Sequence, residues 1–400
     1  MSAAAARRRK QKALKAASGG AEPVSSRLSA LLDGDSVDES TAYEALQLAQ
    51  SQVRRYVKLS QYENAREAAY SVSLKLLEKH GRVSVASQLM TELIKALLET
   101  HTVCSDEWVS KFTKLSQAYV SALESSDGMP TTERNRLSRL HLKFLRSALR
   151  WSDLCGTVRF GALGMHELVG QHSWKLSLLD DQSFEEEEEE EGVDYNTVGL
   201  KCEAVTHLAL AEKPLIIGQY LKEQCPDATE EEVAAGHDCA PALRDVLFTR
   251  ATLVFCSVEN LRDAHTLVRY YLDNQCGPLK TEKELKTSYM SKTDGKAPNH
   301  AVFNSMLVSI CQKDAKTAPL FNWLLRSFTH EFSVMYKPDL LKAYTTRIGR
   351  IYFGIQPPPS MLNTIENMMS MMGGGGAGGG MPPINPAMMQ SMMASMGGGM

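Results

Sequence analysis

"TAYEALQLAQSQVRRYVKLSQYENAREAAYSVSLKLLEK", Thr41 to Lys79, decides the fold. Ala42, Leu46, Ala49, Val53 and Tyr56 recur at steps of three and four, and Ala65, Ala69, Val72 and Leu76 repeat the pattern. Such steps place each set on one helix face. Thr41 with Glu44 and Ser60 with Glu63 match the Ser/Thr-x-x-Glu capping box, so each helix is predicted to start at its hydroxyl residue. Two short amphipathic helices joined by a polar turn leave an apolar face uncovered. A neighbouring pair must bury it.

Working outward, the neighbours are there. Leu89, Leu93 and Ala96 form one stripe, Trp108, Phe112, Leu115 and Tyr119 the next, then Leu137, His141, Phe144 and Ala148. The pairs cover 41–80, 83–125 and 131–171, a period of about 40 residues that suits two-helix repeats. Strand-like alternation is nearly absent, and no strict consensus recurs. The expected fold is all-α: a degenerate α-solenoid of helix pairs, tetratricopeptide-like (TPR-like). Pro338 and Asp339 are predicted to open its last clear helix, with Leu341, Tyr344, Ile348 and Ile351 on one face and Gly354 as a left-handed cap.

Composition shifts set the expected boundaries. Residues 1–38 read as a disordered basic segment, with Arg7, Arg8, Arg9, Lys10, Lys12 and Lys15 in its head. The solenoid then has an N-terminal half, 39–179, and a C-terminal half, 196–355. Between them 180–195 reads as an acidic disordered insertion around Glu185 to Glu191, interrupting helix stacking at about mid-chain. Near 276–298, Gly277-Pro278, Asp294-Gly295 and Pro298 break the helical rhythm and predict an irregular loop or small hairpin. Residues 356–400 read as a disordered tail rich in Met, Gly and Pro; twelve of the nineteen methionines lie in the last forty residues.

The composition excludes several classes. A net charge of -3 does not suit a nucleic-acid binder. No apolar stretch approaches the ~20 residues that span a bilayer, so no stable membrane insertion is expected. The N-terminus lacks the apolar core of a secretory signal, which predicts a cytosolic protein with reduced thiols. The eight cysteines form no C-x-x-C pair and read as small hydrophobes.

Catalytic signatures are missing: no P-loop, no dinucleotide-binding G-x-G-x-x-G, no H-E-x-x-H, no G-x-S-x-G. No catalytic residue, metal ligand set or cofactor is expected. His237-Asp238-Cys239 suggests a nucleophile beside its base, but reads more simply as a helix start capped by Asp238. His166, His172 and Trp174 lie close in sequence. The histidines are six apart, which does not put them on one face for a metal, so packing is expected. A helical solenoid without catalytic groups is suited to holding other proteins.

Several stretches in order resemble the Golgi-to-ER traffic protein four family, the α-solenoid adaptor of the guided entry pathway for tail-anchored proteins. They are Tyr43 to Gly81, "SALRWS" from Ser147 to Ser152, "MHELVGQHSWK" from Met165 to Lys175, and "YKPDLLKAYTTRIGRIYFGIQPPPSML" from Tyr336 to Leu362. The resemblance covers about 320 residues and implies a non-enzymatic adaptor. It implies that the N-terminal half docks a tail-anchored targeting ATPase and the C-terminal half clasps the N-terminus of a ubiquitin-like protein. That partner recruits a TPR co-chaperone, so the adaptor bridges delivery of tail-anchored proteins to the ER membrane. Two other readings stand beside it: another helical-repeat scaffold of proteasome or vesicle-coat type, and an enzyme using His237 and Cys239.

For the ATPase-docking surface the resemblance points to Tyr43, Arg55, Tyr56, Tyr62 and Arg66. On the following helix the chain departs from the family, with Ser87 and Ile94 where acidic residues are usual; Glu92 is the nearby acid. For the ubiquitin-like partner it points to Tyr289, Phe303, Phe321, Trp323 and Leu324. The tail lies beyond the matching stretches. Met361, Met368, Met369 and Met372 sit there near helical spacing, and flexible methionine suits transient contact with an apolar client helix.

Overall fold

The computed structural model describes residues 21–34, 38–126, 128–179, 196–224, 243–275, 299–313, 315–333 and 335–356. The expected all-α class is what they form, with no strand among them. The helices run in chain order as α1 (Ala21–Asp33), α2 (Glu39–Lys58), α3 (Tyr62–Glu78), α4 (Val83–Glu99), α5 (Asp106–Glu124), α6 (Thr131–Cys155) and α7 (Leu163–Leu176). After the acidic segment come α8 (Thr197–Leu210), α9 (Pro214–Gln224), α10 (Leu243–Ser257), α11 (Leu261–Gln275) and α12 (Asn299–Cys311). A 3-10 turn (Ala315–Thr317), α13 (Ala318–Ser327), α14 (Thr329–Ser333) and α15 (Pro338–Phe353) finish the stack. None of these helices is long and apolar enough to cross a membrane.

The three helix pairs read from periodicity are α2–α3, α4–α5 and α6–α7. First helices pack on first helices, α2 on α4 and α4 on α6; second helices do the same, α3 on α5 and α5 on α7. Between the two layers the small residues Ala42, Ala45, Ala49, Ala65 and Ala69 are fully buried and let the backbones approach. Larger side chains fill the next turns. Trp108, Phe112, Phe144 and Trp151 form one aromatic cluster with ring centroids 5.5 to 6.5 Å apart. The indole nitrogen of Trp151 donates to the Thr102 carbonyl at 3.0 Å, as a buried indole requires. Lys111 lies over the rings of Trp108 and Tyr70 and closes the cluster from outside.

The cap assignments need correction. α2 begins at Glu39, and the Asp38 carboxylate accepts from the Thr41 amide at 2.8 Å. With Asp38 as the cap, Thr41 is already inside the first turn, so its hydroxyl is not the capping group. α3 begins at Tyr62, and Ser60 adopts a left-handed conformation (φ 58°) in the turn. The other end of the chain follows expectation: Pro338 opens α15, and left-handed Gly354 (φ 63°) donates its amide to the Gly349 carbonyl.

Two further expectations differ from the structure. Within residues 1–38, α1 is a helix whose Leu28 and Leu32 are buried against α2 and α3. The acidic segment does not interrupt the stack either. α7 and α8, which flank it, pack on each other more extensively than any other described pair. Gly170 makes this possible, since a Cβ there would lie 2.8 Å from Leu208 Cγ and 3.1 Å from the Ala204 carbonyl oxygen. The second part is organised differently from the first. α10 is buried on every side from Arg244 to Ser257 and serves as a central post for α8, α11, α12 and α15. The segments 180–195, 225–242, 276–298 and 357–400, with His237, Asp238, Cys239, Tyr289 and the four tail methionines, lie outside the described residues.

Candidate functional site

The charged surface expected near the start of the solenoid has a defined centre. Along α2, Tyr43, Gln47, Gln50 and Arg54 recur at helical spacing on one face. Val53, Arg54, Val57 and Lys58 of α2 then face Glu92, Lys95, Ala96 and Glu99 of α4 across a groove of about 260 Å³. Its floor is apolar and its rims are charged. Arg55 adjoins it, lining a shallower depression with Arg54 and Lys58. Glu92 is held by Lys95 at 3.1 Å, which leaves Arg54 and Lys58 as the cationic rim.

The six residues suggested for this surface divide between the two layers. Tyr43 is 40% exposed and belongs with Arg55 and Glu92 on the first-helix layer. Tyr56 is half buried against the core, and its hydroxyl accepts from Gln52 at 3.0 Å. Tyr62, 42% exposed, marks the start of α3. Arg66 faces the second-helix layer, where Nη1 donates to Thr102 at 2.7 Å and to Thr100 at 3.3 Å. It therefore holds the α4–α5 connection, and its freedom as a docking charge is a reading the structure corrects. Glu67 beside it is paired with Lys111 at 2.8 Å. Burial lowers the Lys111 pKa, but bonds to Glu67 and Glu107 outweigh it and the pKa is raised. Sequence reasoning missed Lys95 and Glu99 as groove residues, although they follow Glu92 by three and seven positions on the same helix face.

The aromatic candidates near the end of the chain also divide. Phe303 is buried against Phe328 and Phe332, at 5.2 and 4.9 Å between centroids. Phe321 stacks on Phe353 at 4.6 Å, and Leu324 is wholly enclosed. These three are core residues and present no surface here, which corrects their candidacy. Trp323 is different: it is 43% exposed, and Leu320, three residues earlier, is 52% exposed. The two make an apolar ridge on α13 that periodicity did not separate from the buried positions of the same short helix.

The histidines pack, as expected. His172 is buried, with Nε2 bonded to the Ser138 carbonyl, and burial pushes its pKa down to about 4. His166 Nε2 lies 2.8 Å from the Phe160 carbonyl oxygen, so it carries a proton there and Nδ1 is left as an acceptor. His207 Nδ1, 2.8 Å away, is then the donor. Among the described residues no three His, Cys, Asp or Glu side chains gather as a metal would need. Of the described cysteines, Cys202, Cys256 and Cys311 are buried and Cys104 and Cys155 half buried, all as free thiols.

Comparison with known proteins adds to this geometry. The family model "Golgi to ER traffic protein 4" matches residues 59–372. That span passes Leu362 and takes in Met361, Met368, Met369 and Met372. Protein GET4 of Arabidopsis thaliana is 24% identical over 350 residues, 83% of this chain and 93% of that protein. The Golgi to ER traffic protein 4 homolog of Homo sapiens is 27% identical over 157 residues, 39% of this chain and 41% of that protein. The crystal structure of C. therm. Get4 shares the fold with a TM-score of 0.53 at 19% identity, over 92% of this chain and 99% of that one.

Proposed function

Because the chain belongs to the Golgi to ER traffic protein 4 family, we propose that it is a non-enzymatic cytosolic adaptor for tail-anchored proteins. It joins a targeting ATPase at the α2–α4 face to a ubiquitin-like protein at the α13 ridge. A TPR co-chaperone then arrives through the second partner. The observation that carries this reading is the presence of two chemically different surfaces on one helical stack. One is a charge-rimmed groove between α2 and α4, with Arg54, Lys58 and Glu92. The other is the apolar ridge of Leu320 and Trp323. Charged rims steer encounter and set its salt dependence, whereas exposed aromatic anchors hold affinity. An adaptor that must pass one partner while keeping another gains from such a division.

The test uses the full chain with both partners in size-exclusion chromatography and light scattering. A three-part complex is expected. Arg54→Glu with Lys58→Glu should remove only the ATPase, and Trp323→Ala only the ubiquitin-like protein. Loss of both partners from either variant, or no complex with the wild-type chain, overturns the reading.

A further inference from the structure

Away from both surfaces, Gly199, half-buried Glu203, Thr206 and His207, and buried Cys202 lie along one side of α8. With Arg146, Arg250 and the 336–344 stretch they line a groove of about 370 Å³. Five residues at 199, 202, 203, 206 and 207 span about 12 Å of helix axis, at 1.5 Å per residue. An extended chain covers that in about four residues.

The charge lining this groove is unbalanced. Arg146 is matched by Glu203. Among the described residues, Arg250 is not matched by any carboxylate. It is only 3% exposed, Nη2 donates to the Tyr336 carbonyl at 2.6 Å, the Cys202 thiol lies beside it, and buried Nε has no partner among the described residues. A buried guanidinium served only by a carbonyl and a thiol has given up water without gaining a counter-charge. Lys337 adds a second cation at the rim. Its backbone is left-handed (φ 51°), which is strained for a residue with a side chain, and the turn so made carries the Tyr336 carbonyl that Arg250 uses. His207 is neutral at pH 7, since burial, with help from neighbouring His166, lowers its pKa to about 4. Beside these cations Leu340 is 48% exposed.

We propose that this groove binds a short acidic peptide segment of another protein, with a carboxylate between Arg250 and Lys337 and an apolar side chain on Leu340 and Tyr344. Arginine favours a planar, two-oxygen acceptor, which a carboxylate supplies. The apolar rim distinguishes a peptide from a free anion. Glu203, in the middle of the groove, disfavours a run of phosphates.

The experiment follows the methyl NMR signals of Leu340 in the full chain. The probes are acetyl-Leu-Glu-Leu-Glu-amide and its counterpart with glutamine at both glutamates. The glutamate peptide should shift Leu340, and the glutamine peptide should bind about tenfold more weakly or worse, the scale of one charge-assisted contact. Arg250→Met should abolish the shift. That variant can unfold, so exposed Lys337→Glu is the second arm and should weaken binding about tenfold with Tm unchanged. Equal binding of both peptides, or unmoved Leu340 signals at millimolar peptide, overturns the proposal. Displacement of the glutamate peptide by equimolar oligothymidylate or inorganic phosphate also overturns it, assigning the groove to phosphate.

Discussion

Arg146 on α6 grips Glu203 on α8 through two parallel bonds, Nε to Oε1 at 2.7 Å and Nη2 to Oε2 at 2.6 Å. The pair spans the acidic segment and joins the two parts of the stack. Burial alone would raise the Glu203 carboxyl, but the Arg146 guanidinium outweighs it and holds the pKa below the ordinary value. Both side chains keep some exposure, 25% and 20%. Arg146→Met should therefore cost about 2 kcal/mol, the range of a partly buried charged hydrogen bond. Glu203→Gln should cost less, and the double variant less than the sum. Urea unfolding at pH 7 measures all three.

Acid should destabilise the protein well before its carboxylates protonate. His172, His207 and His300 are pushed down to about 4, in each case chiefly by burial. The unfolded chain binds their protons at about pH 6.5, so it holds more protons than the folded state below that pH. Stability is full above about pH 6.5 and falls as pH drops toward 4. Each group contributes up to about 1.4 kcal/mol per pH unit in that window. Replacing His172 by Asn should flatten the slope of unfolding free energy between pH 6.5 and 5 by about one proton; an unchanged slope would refute the assignment.

His141 offers a stabilising change. It is fully buried, stacks on Tyr119 at 4.3 Å, and neither ring nitrogen has a hydrogen-bond partner among the described residues. Unmet buried polar atoms cost about 1–3 kcal/mol each. His141→Phe keeps the aromatic stack and removes both, so Tm should rise. A fall by several degrees would mean that the added edge of the ring does not fit.

Trp323→Ala should weaken binding of the proposed ubiquitin-like partner by about 2 kcal/mol, roughly thirtyfold in Kd, with little change in Tm. Leu324→Ala, one residue on and fully enclosed, should instead lower stability by about 2–5 kcal/mol. Calorimetry of binding and thermal unfolding of the two variants separate ridge from core.

Association with the proposed ATPase partner should slow with salt, because Arg54, Arg55 and Lys58 act over about 8 Å at physiological ionic strength. Arg54→Glu with Lys58→Glu should reduce the association rate about tenfold at low salt and leave dissociation nearly unchanged. Arg66→Glu serves poorly for this purpose, since it breaks bonds to Thr100 and Thr102 and loosens the α4–α5 connection. Stopped-flow rates across salt concentrations give the answer.

By itself, the sequence determined the helical class, the three leading helix pairs and the closing cap at Gly354. Apolar residues at steps of three and four, and a glycine free to turn left-handed, are local properties. Tertiary structure decided what local pattern cannot carry. Phe321, Trp323 and Leu324 share one short helix of ten residues, and only a distant neighbour, Phe353 stacked on Phe321, shows which side is covered. Arg66 reads as a surface charge until Thr100 and Thr102 arrive from another helix pair. α7 and α8 meet through Gly170, whose missing side chain carries no periodic signal. The same holds for Arg250, at a position 86 residues before the Tyr336 carbonyl that it reaches. Helix formation depends on neighbours within one or two turns, whereas burial and charge pairing depend on which distant helices come to lie alongside.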